Sequence, residues 1–165
     1  MKIMEIIAEL KTNQVLDTPH ERAWEVERKP GLPSSGVQIE REGDKVRVYA
    51  TVNDQYKRDD DAEAAPDVVP LLRTWARVVI EELPKFVRDT DTSIKIEAHG
   101  KRAGVYARAM PQILDALQSV NTGWVYNKPW VNPRGGTLFT FSNYNYDKDR
   151  GAANWSDKRA VKPQP

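Results

Sequence analysis

Alternation of apolar and polar residues predicts a strand near the centre of the chain. From Ser93 to His99 every second residue is apolar, which is the period of a half-buried strand. Gly100 ends this pattern, and from Arg102 to Ser119 apolar residues recur at helical spacing, with Pro111 predicting a bend or a division of that helix. A strand followed by an amphipathic helix is half of a crossover unit.

The other half of that unit is predicted upstream. Val37–Glu42 and Lys45–Asn53 carry period-two apolar residues on either side of Gly43-Asp44, which indicates a hairpin. Asp67 is a suitable N-cap for a helix that we expect to run to Leu83 and to end or kink there, because proline occupies position 84.

Weaker patterns define the two ends of the chain. Residues 2–11 have one apolar face and predict a short helix, which we interpret as packing on the protein's own sheet. Asn13–Glu21 is expected to be a loop and Ala23–Arg28 the first strand. Gly123–Tyr126 and Thr137–Phe141 predict a last pair of strands.

These elements together predict one α+β domain over residues 1–142. Its sheet should be mixed and mostly antiparallel, with about five to seven strands and two main flanking helices. The residues expected in the core are Leu72, Trp75, Val79, Ile94, Ile96, Tyr106 and Phe139. Residues 143–165 are polar and poor in aliphatic side chains, so we expect an extended C-terminal tail.

Composition narrows the possible functions. A formal net charge of +1 over 165 residues gives no overall attraction to nucleic acid or to an acidic membrane. Without cysteine the chain cannot use thiol catalysis or cysteine-bound metal, and its two histidines, His20 and His99, have no ligand spacing, so no metal site is predicted. Glu5 and Glu9 interrupt the apolar start, so we expect neither a signal peptide nor a membrane span.

Two groups of residues are candidate sites. His99, Lys101 and Arg102 cluster where a strand meets a helix and could hold an anion, although a solvated corner is the interpretation we favour. The second group mixes aromatic and basic side chains near the C-terminus, which is typical of protein-interface anchors and also of single-stranded nucleic-acid binding. It consists of Trp130, Arg134, Tyr144, Tyr146, Arg150 and Trp155. The near-neutral charge favours a protein partner over nucleic acid.

The order strand, strand, strand, long helix, strand, helix, strand, strand resembles the later part of the GNAT family of N-acetyltransferases. Those proteins often show a pattern near Asn-x-x-Ala-x-x-Leu-Tyr after the corresponding strand, and residues 99–106 (His-Gly-Lys-Arg-Ala-Gly-Val-Tyr) occupy that register. The resemblance implies an acetyl-CoA cofactor, an anion site at His99, Lys101 and Arg102, and Tyr106 as the acid that protonates a leaving thiolate. Tyr106 also lies on an apolar helix face, which favours a core aromatic.

The chain is also similar to small tailed-bacteriophage proteins, through Leu16-Asp-Thr-Pro19, Trp24 and the 102–106 segment Arg-Ala-Gly-Val-Tyr. Where the GNAT family has a glycine-rich pyrophosphate loop, residues 53–66 contain no glycine, four Asp and one Glu. We therefore expect a non-catalytic structural or interaction protein without a cofactor, made in the host cytoplasm, with the virion as an alternative location. The alternatives are an acetyl-CoA-dependent N-acetyltransferase and a single-stranded nucleic-acid-binding protein.

Overall fold

The computed structural model of the protein describes residues 10–28, 30–32, 34–52, 55–56, 68–133 and 135–145. Its elements in chain order are β1 (Thr12–Asp17), β2 (Glu21–Val26), β3 (Ser35–Glu42), β4 (Lys45–Val52), β5 (Gln55–Tyr56), α1 (Val68–Phe86), β6 (Ser93–His99), α2 (Gly100–Val120), β7 (Trp124–Tyr126), β8 (Trp130–Val131) and β9 (Gly136–Asn143).

The nine strands of the described residues form one sheet in the order β1-β2-β3-β4-β6-β9-β7, with β5 added to β4 and β8 added to β9. β4 and β6 run parallel, and the other strand pairs are antiparallel. A parallel pair requires a crossover connection, and α1 lies in that connection. The predicted α+β class, with a mixed, mostly antiparallel sheet and two helices, is confirmed, although the sheet has more strands than predicted.

Both helices pack on the face of the sheet that carries the apolar residues of β4 and β6. Val48 and Ile96 on this face are 1% and 0% exposed, whereas Arg47 and Lys95 beside them point to the other face and are exposed. The helix residues of the core include Leu71, Leu72, Trp75, Val79, Leu83, Tyr106, Met110, Ile113 and Leu117. The core residues predicted from the sequence are all buried.

Neither internal proline divides its helix. α1 continues beyond Pro84 to Phe86, because a proline in the last turn removes only one backbone donor near the helix end. α2 is continuous from Gly100 to Val120, so Pro111 does not divide the helix, and the alternative that it bends the helix stays a prediction. Pro111 and Ala107, whose carbonyl loses its helical donor, are both exposed, and water can satisfy that carbonyl.

The N-terminal region differs most from the prediction. Thr12–Asp17 is an edge strand paired with β2, not part of a loop. Four of its six residues are exposed, so it has no apolar alternation and is held mainly by backbone pairing. Most of the helix predicted over residues 2–11 lies outside the described residues. Leu10 is not helical, and its N–H donates to Thr74 Oγ1 on α1 at 2.8 Å.

A buried ion pair joins β3 to the loop between α1 and β6. The side chains of Arg41 and Asp91 are 4% and 1% exposed. Arg41 Nε donates to Asp91 Oδ1 at 2.9 Å, and its Nη2 donates to Oδ2 at 2.7 Å. The same guanidinium donates to the carbonyls of Pro19 and Phe86, and Asp91 Oδ2 also accepts the Arg88 N–H. This network fixes the turn before β2 and the end of α1 to the sheet.

Candidate functional site

The sheet opens between its two parallel strands. β4 pairs with β6 from Lys45 and Ser93 as far as Val48 and Ile96, although β4 extends to Val52 and β6 to His99. The other edges of both strands stay paired, β4 with β3 and β6 with β9. The two strands therefore diverge at their carboxyl ends, which is where open sheets with parallel strands commonly bind ligands.

β5 borders the β4 side of this opening. Gln55 and Tyr56 pair with Val52 and Thr51. Since β3 occupies the other edge of β4 at these residues, β5 must lie on the edge that faces β6. The chain thus uses backbone groups of β4 that a ligand in the opening would otherwise reach.

Arg102 is a core residue next to the opening. It is 0% exposed, and its Nη2 donates to the backbone carbonyl of Glu97 at 2.9 Å, just beyond the last β6 residue that pairs with β4. Its Cζ lies 5.4 Å from the ring centre of Trp75 and 5.6 Å from that of Tyr106, within the range of cation–π attraction. The expected solvated corner is therefore wrong for Arg102, whose guanidinium is not presented to a ligand in solution.

The other members of this corner are placed differently. Tyr106 is 1% exposed within the core, so it has the position of the core aromatic that we favoured, and its role as an acid stays a prediction. His99 is half-buried at the end of β6. Lys101 lies in the first turn of α2, but its side chain is outside the described residues. The structure thus brings Arg102 and Tyr106 together inside the core and leaves His99 half-buried at the end of β6.

The face of the sheet opposite the helices carries a polar network. Arg47 Nη1 lies 3.4 Å from Glu40 Oε1, and Arg47 Nη2 lies 3.6 Å from Glu97 Oε1. The Tyr49 hydroxyl donates to Glu40 Oε2 at 3.0 Å. Burial and the hydrogen bond to the Glu40 carboxylate raise the pKa of Tyr49, so this hydroxyl stays neutral at physiological pH. The network supplies hydrogen-bonding groups, but it contains no activated nucleophile.

An exposed hairpin, β8–β9, carries the predicted partner residue Trp130. Trp130 and Val131 pair with Leu138 and Thr137, and they are 57% and 67% exposed. A short turn between the strands places Gly135 at a φ of 88°, where glycine is favoured. Val131 was not among the predicted partner residues, although Pro129 and Pro133 flank the Trp-Val pair and proline is typical of edge strands.

This hairpin lies at the same end of the sheet as the opening. β9 pairs with β6 up to His99 and Gly136, and these two residues are in close contact. A Cβ added at Gly136 would lie 2.6 Å from His99 Cε1. The exposed hairpin, His99 and the diverging strand ends therefore share one end of the sheet.

The start of the predicted tail belongs to the folded unit. Asn143 is 0% exposed, and its Nδ2 donates to the carbonyls of Asp89 and Asp91 at 3.0 and 2.9 Å. Tyr144 is half-buried, and its N–H donates to the Gly123 carbonyl at 2.7 Å. The other predicted partner residues, Arg134, Tyr146, Arg150 and Trp155, lie outside the described residues.

Comparison of the chain with protein-family models, curated proteins and solved structures finds no match. Function is therefore inferred from the surface itself. Among the described residues, no three acidic or histidine side chains are grouped so that they could hold a metal ion. In the same part of the chain, neither helix is long and apolar enough to cross a membrane.

Proposed function

We propose that the protein is a non-catalytic bacteriophage structural or assembly protein on a GNAT-like scaffold, which binds a protein partner through hairpin β8–β9 and the C-terminal segment after it. The exposure of Trp130 and Val131, 57% and 67%, is the observation that carries this proposal. An edge strand with exposed apolar side chains is a surface on which another chain can add a strand. Tryptophan is also among the residues most enriched at the energetic centres of interfaces.

The order of elements supports the GNAT-like scaffold. When the two-residue strands β5 and β8 are set aside, the elements from β2 to β9 have the order strand, strand, strand, helix, strand, helix, strand, strand, which is the order in the later part of that family. Two features favour a scaffold without the family's chemistry. The segment that would form the pyrophosphate loop lacks glycine and is acidic, and Arg102 is enclosed in the core.

Trp130→Ala tests the hairpin directly. Loss of a tryptophan anchor typically costs at least about 2 kcal/mol of binding, which is roughly a 30-fold weaker interaction. We expect the variant to fold normally and to enter phage assemblies poorly when it replaces the wild-type protein during infection. Val120→Ala is the control, because Val120 is similarly exposed, at 54%, but lies at the end of α2. Equal incorporation of the two variants would exclude the hairpin as the docking surface.

Deletion of residues 146–165 tests the C-terminal segment. The cut is placed after Asn145, because Asn145 Nδ2 still donates to Asn121 Oδ1 on the domain, at 3.3 Å. Ordering a segment costs about 1–2 kcal/mol of backbone entropy per residue. A segment that becomes ordered on docking must therefore make contacts with a surface that offset this cost. We expect a folded protein that assembles poorly. Normal assembly would restrict the partner surface to the hairpin, and loss of folding would assign the segment to the core.

An acetyl-CoA-dependent N-acetyltransferase is the second candidate, and the opening between β4 and β6 favours it. The described residues do not fit the cofactor well, because Arg102 is buried and Tyr106 is enclosed beside it. Calorimetric titration with acetyl-CoA distinguishes the two candidates. Tight binding that is lost in Lys101→Glu would favour the enzyme, whereas no heat of binding would favour the interaction protein. Lys101 is the better variant, since a glutamate at position 102 would place a charge in the core.

A further inference from the structure

A groove runs along the solvent side of the contact between α1 and α2. Its volume is about 890 Å³, and both helices line it. Leu72, Ala76 and Ala109 form an apolar floor and are 6%, 8% and 8% exposed. Val69, at 55% exposure, is a large apolar residue left open to solvent in the wall of the groove. None of the described residues of hairpin β8–β9 lines the groove.

Gly104 lies in this groove, inside α2, and packing among the described residues does not require a glycine there. A Cβ added at Gly104 would meet no heavy atom of the described residues within 4 Å, and the residue is not among the described glycines with positive φ. Glycine inside a helix is destabilising relative to alanine. Because Gly104 has no side chain, the groove is wider at this point, and the backbone of another segment can approach α2 closely.

The rim of the groove is positively charged. Arg73 and Arg108 line it from opposite helices. Arg77 also lines it, and its Nη1 lies 3.3 Å from Glu81 Oε2. Within the part of the chain that the structure describes, neither Arg73 nor Arg108 forms an ion pair. An occupant with negative charges beside its apolar surface would be complementary to this rim.

The dimensions of the groove fit a helix. Its lining extends along α1 from Val69 to Glu81, a length of about 18 Å, or roughly three helical turns, at 1.5 Å per residue. An amphipathic helix presents apolar residues at i, i+3, i+4 and i+7 along one side, and grooves between helices recognise this pattern. We propose that the groove binds an acidic amphipathic helix of a protein partner. This surface is separate from the hairpin, so either proposal can fail alone.

Three designed peptides, one probe and two controls, provide the test. The probe is a helical peptide of about 14 residues, long enough for the groove, with leucine at the four apolar positions and glutamate beside them. A scrambled peptide of the same composition and a version with lysine in place of glutamate are the controls. Fluorescence anisotropy with the full-length protein should show binding of the acidic helix alone, weakened by added salt. Equal binding of either control peptide would overturn the proposal.

Variants of the protein then locate the binding. Arg73→Glu combined with Arg108→Glu should raise the Kd at least tenfold, whereas Lys95→Glu, an exposed change on the opposite face, should leave it unchanged. If the double reversal does not fold, Arg73→Gln with Arg108→Gln replaces it. An unchanged Kd in the folded arginine variant would overturn the proposal.

Two substitutions at Gly104 test the location of the groove independently, one through the thermal stability of the protein and the other through peptide binding. Gly104→Ala should raise the Tm, because alanine favours the helix and its Cβ meets no atom of the described residues within 4 Å. Gly104→Leu should fold but lose the peptide, because its side chain fills the groove. Retained binding in Gly104→Leu would contradict the proposed location. A dimer in sedimentation that Gly104→Leu dissociates would show that a second copy covers the groove, and would overturn the proposal of a partner helix.

Discussion

Asp91→Asn should be among the most destabilising conservative substitutions in this protein. The Asp91 carboxylate accepts three hydrogen bonds: from Arg41 Nε at 2.9 Å, from Arg41 Nη2 at 2.7 Å and from the Arg88 N–H at 2.7 Å. Asparagine has nearly the same shape but only one oxygen. The NH2 group of asparagine would take the place of one Asp91 oxygen and face an N–H donor that this oxygen now accepts from. The buried guanidinium of Arg41 would also lose its counter-charge.

The expected cost follows from the burial of the pair. Both side chains are almost fully enclosed, at 4% and 1% exposure, so water cannot replace the lost partner. Removing one member of a buried ion pair typically costs about 3–5 kcal/mol. A domain of this kind has a total free energy of unfolding of about 5–15 kcal/mol. The substitution should therefore remove a large fraction of the stability and come close to unfolding a marginal domain.

Urea denaturation of the full-length protein measures this loss. Asp17→Asn is the matched control, since Asp17 also pairs with an arginine, Arg22, at 3.0 Å, but with side chains 63% and 27% exposed. Surface pairs of this kind contribute at most about 1 kcal/mol. If Asp91→Asn lowered the free energy of unfolding no more than Asp17→Asn does, the reasoning from a buried, fully bonded pair would be wrong.

Three further predictions concern the core, the sheet and the polar network. Trp75→Ala should lower the free energy of unfolding by about 3–5 kcal/mol in urea denaturation, since Trp75 is 0% exposed. Gly36→Ala should lower it by about 1–3 kcal/mol, because the new Cβ would lie 2.5 Å from the Trp24 carbonyl oxygen; a change as small as that of Gly104→Ala would contradict this. The pKa of Tyr49 is raised in the folded protein, so stability should fall above about pH 10, where the unfolded state releases this proton first. Urea midpoints at about pH 9 and about pH 11 should therefore differ less in Tyr49→Phe, and an unchanged difference would refute the assignment.

The central elements could be predicted because their apolar residues follow the period of the element. Ile96 and Trp75 each belong to a long run of regularly spaced apolar residues. The period of such a run, two or about 3.6 residues, indicates a strand or a helix with one buried side. β1 could not be found in this way, since it is an exposed edge strand held by backbone pairing. α2 can continue through Pro111 because Ala107 is exposed, so that water can hydrogen-bond to its carbonyl. The sequence alone does not show which single turn of a helix is exposed.

The two buried arginines show a signal that the sequence did contain. Arg102 is spaced four, seven and eleven residues before Tyr106, Ala109 and Ile113, on the buried side of α2. Arg41 follows Val37 and Ile39 at the two-residue spacing of the buried positions in β3. The spacing thus indicated burial for both side chains, but their partners could not be predicted, because Asp91 is fifty residues from Arg41 in sequence.

The candidate site was predicted in part. Trp130 was expected to be a partner residue, and the structure places it in the open on an edge strand, although binding itself stays a prediction. The opening at the carboxyl ends of β4 and β6 was not predicted. It arises because pairing stops after Val48 and Ile96, and the length over which two distant strands pair depends on how both pack against α1 and α2.

The position of β5 has a consequence for how the protein folds during synthesis. β1 to β4 are neighbours in sequence and can pair as soon as they are made, whereas β4 must wait for β6 until the whole of α1 has been synthesised. Such non-local pairing is slow. Until it forms, the unpaired edge of β4 can pair with strands of other chains, which leads to aggregation. β5 follows β4 closely and pairs with Thr51 and Val52 on that waiting edge. This two-residue strand, which adds little to the finished sheet, shortens the edge through which the nascent chain could aggregate.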